Sequence, residues 1–306
     1  MLSDRLPGGV QHALCFHGFS PIDSEKWRAA YDLSRRCHER LGIHPDQVTL
    51  DDVPDLSEET RWIDSWEKWL EKHSFPMPSS LVIGTNIIKR FKLPWVPNNR
   101  AHSVITMGVG APAYFEDGRP LTDDGGQFLF YCDAALHRQA LDHFDAMALD
   151  AWTSVGFSYG YAFTYQLRGA IDPLGFCFGL PRRGDMSDFN EARARWATFR
   201  RRTPEGCRFS AWMDKQQGNP ASELVPGPSY SERLRDVFPL NYLVASHLAL
   251  TVGSSSLGEW IEQDSSRGTL RQLADGLWCW AVDEIGIPAV RCSLEPSGLL
   301  VAPGGR

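Results

Sequence analysis

Strand-like and helix-like stretches follow one another irregularly along this chain, without a βαβ rhythm. "HALCFHGF" alternates as a half-buried strand does, and "DSEKWRAAYDLSRRCHERLG" follows with the spacing of an amphipathic helix. Such a succession disfavours a doubly wound parallel sheet and predicts an α+β fold. We expect two subdomains with mostly antiparallel or mixed sheets flanked by helices, an acidic one over residues 1–170 and a second over 171–306. The polar, Pro/Gly-rich "QQGNPASELVPGPSYS" is the best linker candidate.

Local signals place the elements. Asp23 or Ser24 would cap the first helix and Gly42 would stop it; a second helix lies in "DLSEETRWIDSWEKWLEKHSF". "SSLVIGTNIIKRF" and "HSVITMGVG" read as strands, and "YFEDGRPLTDDGGQFLFYCDA" as a strand end, a polar turn and a returning strand. "HRQALDHFDAMALDAWTS" is helical, with Leu141, Phe144, Ala148 and Trp152 predicted on one face. "FSYGYAFTYQLRG" is a strand, and "DFNEARARWATFRRR" a helix whose acidic start and basic end suit its dipole. Later come the short helix "SSLGEWIEQD", a hairpin turning at Ala274-Asp275-Gly276, and a helix stopped at Gly298 before a short last strand.

Charge narrows the partners. The net charge of -7 lies wholly in residues 1–150, with 22 acids against 15 Lys and Arg; residues 151–306 hold 16 of each. An acidic surface disfavours direct nucleic-acid binding and suits a basic partner or plain solubility. The seven cysteines are odd in number, include no C-x-x-C pair and sit mostly in apolar runs, so a reducing compartment is expected. No signal-peptide pattern or membrane-length apolar run is read, and a cytoplasmic location is the expectation.

One pentapeptide invites a catalytic reading. Gly156-Phe157-Ser158-Tyr159-Gly160 spells G-x-S-x-G, the nucleophile elbow of serine hydrolases. An elbow needs a strand-to-helix turn, yet here a helical stretch precedes Ser158 and a strand follows. Its only downstream histidine, His247, lies in the apolar run "LVASHLAL". A hydrolase using Ser158 and His247 is therefore the alternative reading. The preferred one makes Gly156 a helix stop and Gly160 a strand position where large neighbours pack closely.

His12, Cys15 and His17 form H-x-x-C-x-H, without a second pair of ligand spacing to complete a zinc site. Cys15 and His17 would share one strand face, with His12 near the strand start. No cofactor or enzyme signature is found.

The most informative segment is "HPDQVTLDDVPDLSEETRWIDSWEKWLEKHSF". Asp46, Asp51, Asp52, Asp55, Glu58 and Glu59 are six acids with no Lys or Arg among them. Asp55 and Glu58 also fit a capping box. Behind them Trp62, Ile63, Trp66, Trp69 and Leu70 would occupy one apolar helix face, predicted as core. A second acid group, Asp117, Asp123 and Asp124, sits in "EDGRPLTDDGG". Both groups are candidates for meeting a positively charged surface, such as a nuclease cleft.

The C-terminal third resembles a known family. "VFPLNYLVASHLALTVG", "SLGEWIEQDSSRGTLRQLADGLWCWAV" and "IPAVRCSLEPSGLLV" are similar, in the order of their features, to the end of the immunity protein 52 family of bacterial polymorphic-toxin systems, associated with type VI secretion. The likeness covers about 70 residues, and "WRAAYDLSRRCHERLG" agrees more loosely. The resemblance implies a non-enzymatic cytosolic antidote that binds a toxin of restriction-endonuclease-like fold. It carries over no contact positions, so the nine acidic candidates rest on charge alone.

Overall fold

The computed structural model describes residues 10–19, 23–51, 61–76, 80–84, 103–108, 126–166 and 232–300. Ten strands make one sheet: β1 (Val10–Phe19), β2 (Gln47–Asp51), β3 (Arg61–Trp62), β4 (Ser80–Gly84), β5 (Ser103–Gly108), β6 (Gly126–Asp133), β7 (Tyr159–Gln166), β8 (Leu240–Val244), β11 (Thr269–Ala274) and β12 (Leu277–Ala281). Their order is β11-β12-β8-β7-β1-β6-β5-β4-β2-β3, and every pairing in it is antiparallel. β9 (Thr251–Val252) and β10 (Ser255–Ser256) form a separate small hairpin. The α+β class expected from the irregular element order is the class observed. The pairing of β7 with β8 carries one sheet across residue 170.

Side-chain alternation divides the sheet into two buried faces. Leu14, Phe16, Phe128 and Phe130 point to one face, where Trp27 and Cys37 of α1 (Ser24–Arg40) meet Phe144 and Met147 of α3 (Ala140–Ser154). Ala13, Cys15, Tyr159, Tyr161 and Phe163 point to the other. There they pack with Phe238, with Trp260 of α5 (Leu257–Glu262), and with Ile287, Val290 and Leu294 of α6 (Ile287–Leu294). A fully buried Leu or Phe contributes roughly 1.5–3 kcal/mol. A sheet buried on both sides therefore explains why its central strands read as near-continuous apolar runs.

Several local signals act as read. Asp23 is the cap of α1, its Oδ1 accepting from the Lys26 amide at 2.8 Å. Gly42 ends that helix at φ 65°, where its amide reaches the Glu39 carbonyl at 2.9 Å. Asp275 and Gly276 make the two-residue turn of the β11–β12 hairpin. Gly298, at φ 70°, closes the turn after α6, and Leu300 bridges to Leu234.

Two readings need correction. Helix α2 (Ile63–Leu70) begins later than expected, because Trp62 pairs with Gln47 in β3 and is 59% exposed. Cross-strand pairing holds its backbone extended, which turns the first tryptophan out of the predicted apolar face. On α3 the buried stripe is Ala140, Phe144, Met147, Ala148 and Ala151, and Leu141 is exposed. Three alanines let the helix lie close to the sheet, so the stripe follows the small residues. The readings of "DFNEARARWATFRRR" and of "QQGNPASELVPGPSYS" fall outside the described residues.

Candidate partner-binding surface

The register of the antiparallel strands decides where the acidic connections emerge. β2 runs from Gln47, opposite Gly84, to Asp51, opposite Ser80. β5 runs from Val104, opposite Gly84, towards Met107, opposite Leu81. The C-terminal ends of β2 and β5 therefore lie at the same end of the sheet, with β4 between them. β6 starts and β1 finishes there too, since Phe19 is opposite Gly126. We call this the Phe19 end. The connection carrying Asp52, Asp55, Glu58 and Glu59 leaves from Asp51, and the one carrying Asp117, Asp123 and Asp124 leaves from Gly108. Neighbouring strands are about 4.8 Å apart, so two strand steps separate the points of departure by about 10 Å. The side chains of these seven acids lie outside the described residues.

Asp46 stands apart from the others. It precedes β2 at the opposite end, which we call the Val10 end, about 17 Å along the strand from Asp51 at ~3.3 Å per residue. It is half-buried, its amide donates to Gly84 at 3.1 Å, and its carbonyl accepts from Ile63 at 2.9 Å. Its backbone ties β2 and β4 to the start of α2.

A charged clasp holds α2 against α1. The Tyr31 hydroxyl donates to Glu67 at 3.0 Å, and Arg35 donates to the same carboxylate oxygen at 2.5 Å. Burial, followed by the Glu67 charge, pushes the Tyr31 hydroxyl well above its ordinary range, so it stays a donor. Beneath the clasp Trp66 is buried and stacks on Trp69, which stacks in turn on His73. The second and third tryptophans of the segment thus form a packed ladder next to the edge of the sheet.

At Ser158 the structure has a helix before and a strand after, the reverse of an elbow. Gly156 ends α3 with φ 71° and its amide on the Ala151 carbonyl at 3.0 Å. Gly160 is placed so that a Cβ would lie 2.5 Å from the Phe16 ring. Both glycines thus have the packing roles expected of them. The Ser158 amide donates to the His17 carbonyl at 2.7 Å and prolongs the β1–β7 pairing. His247 is buried, and its Nδ1 accepts from the Val244 amide at 3.3 Å in the first turn of α4 (Ala245–Leu248).

Sheet parity likewise divides the H-x-x-C-x-H motif. His12 lies on the face of Leu14 and Phe16 and pairs with Thr164 at 2.9 Å. Cys15 and His17 lie on the other face, where His17 Nε2 is 3.3 Å from the Tyr161 hydroxyl. Burial, and then the nearby Arg235 charge, hold His17 well below its ordinary value, so its ring is neutral. Among the described residues no group of three His, Cys, Asp or Glu is arranged to hold a metal, and no helix is long and apolar enough to cross a membrane.

Sequence reasoning missed the main buried charges. Asp236 is fully buried and bound by Arg291, while Asp145 of α3 receives both Tyr242 and Arg271. These partners lie 55, 97 and 126 residues apart, and no local spacing signals such pairs.

The fold is a single antiparallel sheet covered by helices on both faces, a three-layer α+β protein. No known family matches the chain in sequence, and no curated protein is similar to it at a significant level. Among solved structures it is similar to a T6SS protein of Pseudomonas aeruginosa, at 15% identity and a TM-score of 0.49, over 97% of this chain and 76% of that one.

Proposed function

We propose that this protein is a non-enzymatic antidote that binds a cognate protein toxin, the toxin being a nuclease whose basic cleft it occludes. The observation that carries the reading is topological. Two acidic connections, separated by more than forty residues of sequence, depart from the same end of one rigid sheet. Carboxylates gathered at one end would meet a phosphate-binding cleft with complementary charge, speeding encounter and disfavouring other partners. The type VI secretion setting and the restriction-endonuclease fold of the toxin come from the resemblance of the C-terminal third alone. Asp46 is the least suited of the nine acids, because it sits at the other end of β2.

The test is co-purification with the products of neighbouring genes, followed by growth rescue when chain and candidate toxin are co-expressed. A stable complex, rescued growth and nuclease activity in the partner are the expected results. Replacing Asp51, Asp52, Asp55 and Glu58 together by lysine should slow association roughly tenfold or more. An unchanged association rate would remove the acidic end from the interface, and failure to rescue growth would remove the antidote reading.

A further inference from the structure

We propose that the Val10 end of the sheet carries a second docking surface, one that takes a protein segment presenting carboxylates around an apolar contact. Five large hydrophobic side chains are exposed among the described residues, and three of them gather here: Val10 at 43%, Leu136 at 47% and Leu141 at 38%. The chain itself brings them together. The Ala134 amide donates to the Val10 carbonyl at 2.8 Å, which fastens the β6–α3 turn to the start of β1. Asp133 rigidifies that turn, its Oδ1 accepting from the amides of Ala135 at 2.8 Å and Leu136 at 3.2 Å. Leu141 follows on the first turn of α3. Exposed apolar residues are unremarkable singly, but three fixed around one turn form a patch.

A cavity of about 430 Å³ opens beside the patch between that turn and the end of α1. Its ionisable lining is entirely basic: Arg40, His137, Arg138 and His143. The acids nearby are largely engaged. Asp150 binds Arg40 at 2.6 Å, and Asp133 is turned into its own turn. Asp142 is exposed on the first turn of α3 but does not line the cavity. Arg138, together with the two histidines, therefore leaves a locally basic rim on a chain of net charge -7. Charge complementarity selects carboxylates as the partner's polar groups, and the leucines select an apolar side chain between them. A surface demanding acids cannot be the one that meets a basic nuclease cleft. The two lie at opposite ends of the sheet, so this inference does not rest on the proposed function.

The experiment is fluorescence anisotropy with the intact chain and a labelled peptide alternating glutamate and leucine, with a lysine–leucine peptide as the control. We expect the acidic peptide to bind, the basic one not to, and added salt to weaken the complex. Replacing Arg138 and His143 by glutamate should weaken binding at least tenfold, and Leu136→Ser with Leu141→Ser several-fold. All four positions are at least partly exposed, and circular dichroism checks that each variant is folded. Lysine at Asp51, Asp52, Asp55 and Glu58 should leave peptide affinity unchanged. Absence of binding, equal binding of both peptides, or unchanged affinity in the Arg138/His143 variant would each overturn the proposal.

Discussion

Arg291 grips Asp236 with two parallel hydrogen bonds, Nε to Oδ1 at 2.6 Å and Nη2 to Oδ2 at 2.8 Å. The carboxylate is fully buried and also accepts from the Val237 amide at 2.8 Å. Through this pair α6 is fastened to the segment ahead of β8. Removing one member leaves an uncompensated buried charge, so Arg291→Met should cost about 3–5 kcal/mol in urea unfolding. Asp236→Asn in the Arg291→Met background should recover part of that loss. A single substitution costing less than about 1 kcal/mol would mean that water reaches the carboxylate.

Asp145 joins α3 to the C-terminal strands by accepting from Tyr242 at 3.2 Å and Arg271 at 2.7 Å. Burial and then the neighbouring Cys279 and Asp145 hold the Tyr242 hydroxyl well above its ordinary value, so it remains protonated. Tyr242→Phe should cost about 1 kcal/mol, the net worth of one such bond plus the partly unsatisfied carboxylate. Thermal unfolding of that variant, compared with Arg271→Ala and the double variant, would show coupling between the two donors. Strictly additive losses would argue that each acts alone.

Gly160 and Ser158 make contrasting predictions. A Cβ at position 160 would meet the Phe16 ring at 2.5 Å and the Cys15 carbonyl at 3.1 Å, so Gly160→Ala should cost about 1–3 kcal/mol by overpacking. Ser158→Ala should change any activity of the folded chain by less than twofold, because Ser158 is built into the end of a strand pairing. An esterase activity lost on that substitution would reinstate the hydrolase reading.

His38 supplies a pH dependence. Its Nδ1 donates to the Ser34 carbonyl at 2.9 Å, while Nε2 is buried with no hydrogen-bond partner. Burial lowers its pKa from 6.5 to about 4. Between those values the unfolded chain binds a proton that the folded chain excludes. Stability is therefore greatest above pH 6.5 and falls as the pH drops towards 4, by about 3 kcal/mol from this group. His12 and His17, also lowered chiefly by burial, act in the same direction. Urea midpoints at pH 7 and pH 4.5 should differ less in His38→Gln than in the parent chain. An equal acid loss in both would place its origin elsewhere.

The sequence by itself determined the class of the fold and much of its punctuation. Asp23, Gly42, Gly156 and Asp275-Gly276 act through neighbours within a few residues, and short-range hydrogen bonds and allowed dihedrals suffice to read them. The acid count was equally plain, because composition needs no contacts. Tertiary structure alone decided which way faces turn and which groups meet. Trp62 is exposed because β2 holds its backbone in an edge strand, and Leu141 because alanines set how closely α3 approaches the sheet. Asp51 and Gly108 share one end of the sheet only through the registers of β2, β4 and β5. Those registers follow from burying two apolar faces at once, a property of the assembled sheet that no single stretch of sequence contains.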